Sequence, residues 1–244
     1  MQNEEKPTPL YRSETSKHRE DILKFCQGYG LDIGFGGDPI HSTAIRMDLP
    51  SPYAYTGEFP VQLGGDCRNL KWISSDSLDY VYSSHVLEDF DRAETEPVLL
   101  EWIRVVKPGG LIVLLLPDQS KYIKNCLARG EVSADGVIGN PHHSITDFSM
   151  EYVMNVAERT NLVTKHSSID SLGDYSFLLV LKKTEPTGKF ANKLAELEIA
   201  LGKAWRERDE LKMAVRDKER RLNRLQKENI LRRAKRTVKR LLGL

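Results

Sequence analysis

The sequence predicts an α/β protein: a doubly wound sheet in front, with a separate helical extension behind it. Three observations predict this. Short apolar runs alternate with amphipathic helical stretches from Ser13 to Leu181. A glycine-rich turn, Gly34-Phe35-Gly36-Gly37-Asp38-Pro39, follows the first apolar run. The charge then inverts along the chain. Residues 185–244 hold 18 Lys+Arg against 9 Asp+Glu, a net of +9, whereas the first 184 residues hold 18 against 26, a net of −8. An acidic globule with a basic extension implies chemistry in front and attachment behind.

The elements follow in order. Ser13 to Gln27 reads as a helix, capped by Ser13 or Thr15 and ended by Gly28 and Gly30. Leu31-Asp32-Ile33-Gly34 is a short buried strand running into the glycine turn. Thr43 to Asp48 is a second strand ending on an acid, and Val61 to Asp66 a third. Ser77 to Ser84 reads as the fourth strand and its exit. Glu94 to Val106 carries Val98, Leu99, Trp102, Ile103 and Val106 at helix spacing, with Trp102 on the core side, and Lys107-Pro108-Gly109-Gly110 is expected to stop it. Leu111 to Leu116 is aliphatic throughout, as a central parallel strand is. Pro117 to Ile145 is expected as a loop-rich insertion, Met150 to Thr160 as a helix, and Leu162 to Ile169 with Tyr175 to Leu181 as a closing strand pair. In a doubly wound sheet ligands sit at the carboxyl ends of the strands. Gly34, Asp48, Asp66, Ser83 and Asp118 all fall on that edge.

Beyond Thr184 the pattern changes. Pro186-Thr187-Gly188 is a linker. Heptad a then falls on Leu194, Leu201, Arg208, Val215 and Leu222, and d on Leu197, Ala204, Leu211, Lys218 and Leu225. Eight of those ten are apolar, which predicts a coiled coil and hence a homo-oligomer. Arg208 and Lys218 interrupt the seam. Residues 230–244 carry six Lys/Arg and no acid, with Leu231, Ala234, Val238, Leu241 and Leu242 on one helical face. This is the pattern of a helix lying on an anionic membrane surface. The domains expected are 1–184, then 185–229 as linker and coiled coil, then 230–244 as the membrane-surface helix.

Composition excludes several classes. Cys26, Cys67 and Cys126 are odd in number and widely spaced, which argues against a disulfide scaffold or a zinc knuckle and for a reducing compartment. The polar, proline-bearing start from Met1 to Leu10 lacks an apolar signal core. The longest aliphatic run, Leu111 to Leu116, falls far short of the roughly 20 residues a membrane span needs. The expected location is cytoplasmic, peripheral on the inner face of the cell membrane. No tight His/Asp spacing marks a metal site.

In the glycine turn, Gly34 and Gly36 let a ligand approach the backbone. The third position of a dinucleotide fingerprint is Pro39, which offers no N–H to a phosphate and argues against NAD. Asp32, just before the turn, suits a cationic ligand better than a pyrophosphate. The stretch Gly30-Leu31-Asp32-Ile33-Gly34-Phe35-Gly36-Gly37-Asp38 resembles motif I of the class I S-adenosylmethionine-dependent methyltransferases. Four further pieces follow in register: Asp48 where that family holds the ribose hydroxyls, Gly65-Asp66-Cys67 where an acid meets the adenine amino group, Ser83-Ser84-His85-Val86-Leu87-Glu88 after the fourth strand, and Arg104-Val105-Val106-Lys107-Pro108-Gly109-Gly110 before the fifth. The similarity covers residues 17–183. It departs at Asp38, where a third glycine is usual.

The resemblance implies a Rossmann-like sheet of seven strands and S-adenosylmethionine as cofactor, held by Asp32, Gly34, Gly36, Asp48, Asp66, Cys67, Ser83 and Ser84. Methyl transfer is an in-line displacement, so the protein mainly aligns the reactants and excludes water. A hydroxyl acceptor also loses a proton. The candidate catalytic residues are His142, His143, Asp118 and His85, since histidine accepts a proton near neutral pH. Tyr53, Tyr55 and Phe59 read either as an acceptor wall or as loop packing. Nucleic-acid methyltransferases of this class carry an N-P-P-Y-like tetrapeptide where this chain has Ser83-Ser84-His85-Val86, which disfavours nucleic acid.

A methyltransferase head, a coiled coil and a basic amphipathic end together resemble the bacterial O-antigen chain-terminating methyltransferases. That resemblance implies a glycan acceptor, a polysaccharide-polymerising glycosyltransferase as partner, and methylation of a sugar hydroxyl at the non-reducing end of a lipid-linked polysaccharide. Two readings compete with it: a methyltransferase of a small metabolite or nucleic acid, and a non-catalytic cofactor-binding scaffold.

Overall fold

The computed structural model describes residues 13–51, 59–130, 147–185, 196, 200, 202–222 and 224. The chain divides into two units, Met1–Thr187 and Gly188–Leu244. The first unit holds a seven-stranded mixed sheet of β1 (Gly30–Ile33), β2 (Ile45–Asp48), β3 (Leu63–Gly64), β4 (Leu78–Ser84), β5 (Val106–Pro117), β6 (Val163–Leu172) and β7 (Ser176–Lys183). Their order is β3-β2-β1-β4-β5-β7-β6. The pairs from β3 through to β5 are parallel, while β7 runs antiparallel to both β5 and β6.

The inner strands are buried because helices cover the faces of a parallel sheet. Every residue of β1 is buried, and Ile112 to Leu116 of β5 and Phe177 to Leu181 of β7 have no exposed surface. Each such aliphatic side chain contributes about 1.5–3 kcal/mol on burial. After β1 the chain moves outward to β2 and β3, then returns to β4 on the other side of β1. That reversal opens a crevice at the carboxyl ends of β1 and β4. Pairing of Ile33 with both Met47 and Ser83 sets Gly34, Asp48 and Ser84 side by side along it.

The flanking helices are α1 (Glu14–Ile22), α2 (Arg92–Val105), α3 (Gln119–Ala128) and α4 (Met150–Thr160). Ser13 caps α1 as expected, its Oγ accepting from the Ser16 N–H at 3.0 Å. The helix is shorter than Ser13 to Gln27 and closes in a 3-10 turn at Leu23–Phe25. Ser149 caps α4, and Asn161 ends it in the left-handed conformation at φ 56°.

Two expectations are corrected. Lys107-Pro108-Gly109-Gly110 does not form a free turn between helix and strand. α2 stops at Val105, and β5 starts at once at Val106. Gly109 at φ 80° makes a bulge, so that Leu78 pairs Val106 but Tyr80 already pairs Leu111. Gly110 is pressed on Asp79, where a Cβ would come within 2.6 Å of the Asp79 carbonyl. The expected loop after Pro117 contains α3, capped by Asp118, whose Oδ1 accepts from the Lys121 N–H at 2.9 Å. Only Gln119 and Cys126 of α3 are buried, and its apolar residues Tyr122, Ile123, Cys126 and Leu127 span little more than one turn.

In the second unit, residues 202–222 are helical. Heptad positions Leu211, Val215 and Leu222 are 66%, 54% and 56% exposed. Arg208, an interrupting a position, lies over the Trp205 ring at 4.0 Å and pairs with Asp209 at 3.2 Å. Leu194, Leu197, Leu201, Leu225 and residues 230–244 lie outside the described residues. Among the described residues no helix is long and apolar enough to cross a membrane.

Candidate cofactor and methyl-transfer site

The crevice begins at the glycine turn. Gly34, Gly36 and Gly37 have φ of 67°, 57° and 88°, a region that residues with a Cβ rarely enter. At Gly34 a Cβ would also collide with Val86 Cγ2. The Gly34 N–H continues the ladder to the Met47 carbonyl at 2.8 Å. Asp38, at the departure from motif I, ties the turn to α1. Its carboxylate accepts from Ser13 Oγ and from Arg19 Nη2, and Arg19 also reaches the Pro39 carbonyl at 3.1 Å. The extra acid is therefore used as a staple.

Asp32 is 1% exposed. Its Oδ2 accepts from the Ile40 N–H at 2.6 Å, while Oδ1 has no hydrogen-bond partner among the described residues. Burial pushes the carboxyl up to about 8, with Asp38 and Asp48 adding to the effect and the Ile40 N–H and Arg19 opposing it. A raised carboxyl binds a proton in the folded chain that the unfolded chain releases. The cofactor-free protein therefore loses stability as pH rises from about 4 towards about 8. Asp32→Asn removes that loss: between pH 6 and pH 8 the thermal midpoint of the variant falls less than that of the parent, as thermal unfolding without cofactor will read.

Asp48 ends β2. Its Oδ2 accepts from the Gly36 N–H at 3.1 Å and its Oδ1 from the Leu49 N–H at 2.7 Å, so the acid also shapes the glycine turn. Burial raises its carboxyl above the ordinary value. Each oxygen keeps a lone pair for a hydroxyl donor.

Asp66 lies two residues beyond β3. Arg68 holds both of its oxygens, Nε to Oδ1 at 2.9 Å and Nη2 to Oδ2 at 2.8 Å, and carries on to Glu94 of α2 at 2.8 Å. Burial pushes the Cys67 thiol up to about 12, so it remains protonated. The Cys67 carbonyl accepts from Trp102 Nε1 at 3.0 Å, which confirms Trp102 as a core residue that props this loop. Ser83 is fully buried and gives its hydroxyl to the Ile33 carbonyl at 3.3 Å. Ser84 closes β4, half-buried.

Among the catalytic candidates, His142 and His143 lie outside the described residues, as do Tyr53 and Tyr55. Phe59 is 40% exposed beneath the Arg46 guanidinium. Asp118 is engaged as the α3 cap, accepting also from Ser120 Oγ at 2.9 Å. His85 stands at the crevice, with Nε2 3.1 Å from Ser176 Oγ and its ring edge-on to Tyr175. Sequence reasoning missed Arg19, Arg68, Tyr122, Tyr175 and Ser176. The last two reach the rim only because β7 folds back antiparallel, placing Ser176 opposite Pro117. No metal-holding group of His, Cys, Asp and Glu occurs among the described residues.

These features suit S-adenosylmethionine. The left-handed glycines open the backbone, Asp48 offers acceptors to ribose hydroxyls, and the unpaired Asp32 Oδ1 suits an ammonium group. Residues 31–114 match the family described as "Methyltransferase domain". No curated protein matches the chain. Among solved structures, the PH0226 protein of Pyrococcus horikoshii OT3 is 22% identical, with 73% of this chain and 93% of that one covered and a TM-score of 0.54. A SAM-dependent methyltransferase from Archaeoglobus fulgidus is 19% identical, with 69% and 92% covered and a TM-score of 0.52. Both share the fold. The family match covers the glycine turn and the strands around it, so residues 31–114 carry a methyltransferase domain, for which S-adenosylmethionine is the cofactor.

Proposed function

We propose that the protein O-methylates a sugar hydroxyl at the non-reducing end of a lipid-linked polysaccharide and so ends chain growth at the cytoplasmic membrane face. The observation that carries this reading is the union, in one chain, of an acidic methyltransferase unit and a basic helical unit. β7 ends at Lys183, whose ammonium bonds the Val106 carbonyl at 2.8 Å, at the end of the sheet away from the crevice. The chain thus leaves the first unit from the rim that does no chemistry. Residues 230–244 bind the anionic surface, the seam through Leu211, Val215 and Leu222 joins copies of the chain, and a polymerising glycosyltransferase is the partner.

Bound S-adenosylmethionine supplies an electrophilic methyl group on a sulfonium. Asp32, Gly34, Gly36, Asp48, Asp66, Cys67, Ser83 and Ser84 form its bed. A methyl on the terminal hydroxyl removes the nucleophile that the next sugar addition needs. Label from methyl-labelled cofactor is expected to enter lipid-linked glycan, and truncation after Glu228 to abolish flotation with anionic vesicles. Label appearing only in small metabolites or nucleic acid, with flotation unchanged by the truncation, contradicts the reading.

A further inference from the structure

Glu88 is a fully buried acid on the 3-10 turn Leu87–Asp89 that follows β4. Its Oε1 lies 3.5 Å from Nδ1 of His85. On the other side of the ring, Nε2 is 3.1 Å from the hydroxyl of Ser176, itself 1% exposed. Tyr175 meets the imidazole edge-on with centroids 5.8 Å apart, and Tyr122 of α3 backs Tyr175 at 5.1 Å. The imidazole is thus flanked by an acid on its own turn and by a hydroxyl and an aromatic ring from the start of β7. It remains 19% exposed, at the rim where the cofactor bed ends.

The backbone adds a second observation. His85 sits at φ 52°, a left-handed conformation that only a few non-glycine residues adopt. Its N–H still bonds the Leu115 carbonyl at 2.9 Å, so β4 is continued while the side chain is thrown onto Ser176. Outliers of this kind gather at functional sites, held by surroundings that over-determine them.

We propose that His85 is the proton acceptor of the methyl transfer and that Glu88 is its positioning residue. This rests on the hydroxyl-acceptor reading above. The Glu88 carboxylate, 3.5 Å from Nδ1, favours the ring proton on that nitrogen, which leaves the lone pair on Nε2, the nitrogen now facing the Ser176 hydroxyl. That contact is the one an acceptor hydroxyl makes when Ser176 turns aside. The acceptor oxygen then bonds the methyl carbon as the carbon–sulfur bond breaks. The electron pair leaves with sulfur, and the hydroxyl proton passes to Nε2. Burial and the neighbouring Asp89 hold the Glu88 carboxyl well above its ordinary range, and a proton on the imidazole 3.5 Å away favours its ionised form. The other ionisable groups on the surrounding elements include Asp89 on the same turn, Asp91, Arg92 and Glu94 at the start of α2, Asp118, Lys121, Tyr122 and Lys124 at and on α3, and Asp174 and Tyr175 before β7.

The test is nitrogen-15 NMR of the His85 ring in the full chain, assigned with His85→Asn. The expected resting form is Nδ1–H with Nε2 unprotonated. Glu88→Gln is expected to lower the His85 midpoint by about one pH unit, about tenfold in the acid constant, because a neutral amide no longer favours the imidazolium. Glu88→Asp restores most of the shift. His85→Asn is expected to slow single-turnover transfer to a panel of methyl glycosides at least 100-fold, while its affinity for S-adenosylhomocysteine stays within about twofold. An Nε2–H resting form, an unmoved midpoint in Glu88→Gln, or transfer by His85→Asn within threefold of the parent overturns the proposal. If Glu88→Gln does not fold, the resting form of the parent decides alone. Failure of the parent to bind S-adenosylhomocysteine at all counts instead against the methyltransferase reading.

Discussion

Asp48→Ala is expected to weaken binding of S-adenosylhomocysteine by about 10- to 100-fold. The variant loses two things at once. It loses the acceptor at the end of β2 that is proposed to take the ribose hydroxyls, and charged hydrogen bonds of this kind contribute about 1.5–3 kcal/mol. It also leaves the N–H groups of Gly36 and Leu49, at 3.1 and 2.7 Å, without the carboxylate that shapes the glycine turn. Asp48→Asn keeps the shape and one acceptor oxygen, so its loss is smaller. Titration calorimetry on parent and variants, with thermal unfolding alongside, separates lost ligand contacts from a collapsed turn. Equal affinity in parent and Asp48→Ala contradicts the assignment of this acid.

Arg104→Ala is expected to destabilise the first unit by about 3–5 kcal/mol, the usual consequence of removing one partner of a buried ion pair. Glu101 is 2% exposed and Arg104 11%. Two parallel bonds of 2.9 Å join them, and Arg104 also reaches the carbonyls of Leu70 and Ile73 at 2.9 and 3.0 Å. Glu101 in turn accepts from the Leu70 N–H at 2.6 Å. Without Arg104 the carboxylate is left buried and uncompensated, and the segment from Leu70 to Ser75 loses its hold on α2. The Asp66–Arg68 loop just before that segment loosens with it, so cofactor affinity falls as well. Arg104→Met combined with Glu101→Leu recovers only part of the stability, since it removes the stranded charge but leaves the Leu70 N–H and the Leu70 and Ile73 carbonyls without these partners. Urea unfolding of the single and double variants reads both effects.

The parts of the fold that could be read directly were those whose signals are local. The aliphatic run of β5 and the Ser149-capped period of α4 are such signals, because burial on both faces or on one stripe selects residue type at every position. α3 was hidden because it buries only Gln119 and Cys126 and its remaining apolar residues, Leu127 among them, stay at least partly exposed. Asp118 showed its residue type and its place at the strand end, but its work as a helix cap depends on backbone geometry. β5 was extended backwards through a proline and two glycines because the bulge at Gly109 absorbs them.

The same division holds at the site. Asp32, Gly34, Gly36 and Asp48 lie within 17 residues of sequence, and their spacing already told their arrangement. The pairing of His85 with Ser176 spans 91 positions and exists only because β7 returns antiparallel beside β5. No periodicity encodes that contact. Arg68 was overlooked for another reason: a cation beside Asp66 reads as solvated surface until Glu94 and Phe90 are brought against it.

The most direct measurement is a crystal of the full chain soaked with S-adenosylhomocysteine. Density is expected along the carboxyl rim between β1 and β4, with the ribose on Asp48, the adenine towards Asp66 and Cys67, and the amino-acid end towards Asp32. Density anywhere else, or none at saturating concentration, contradicts this placement.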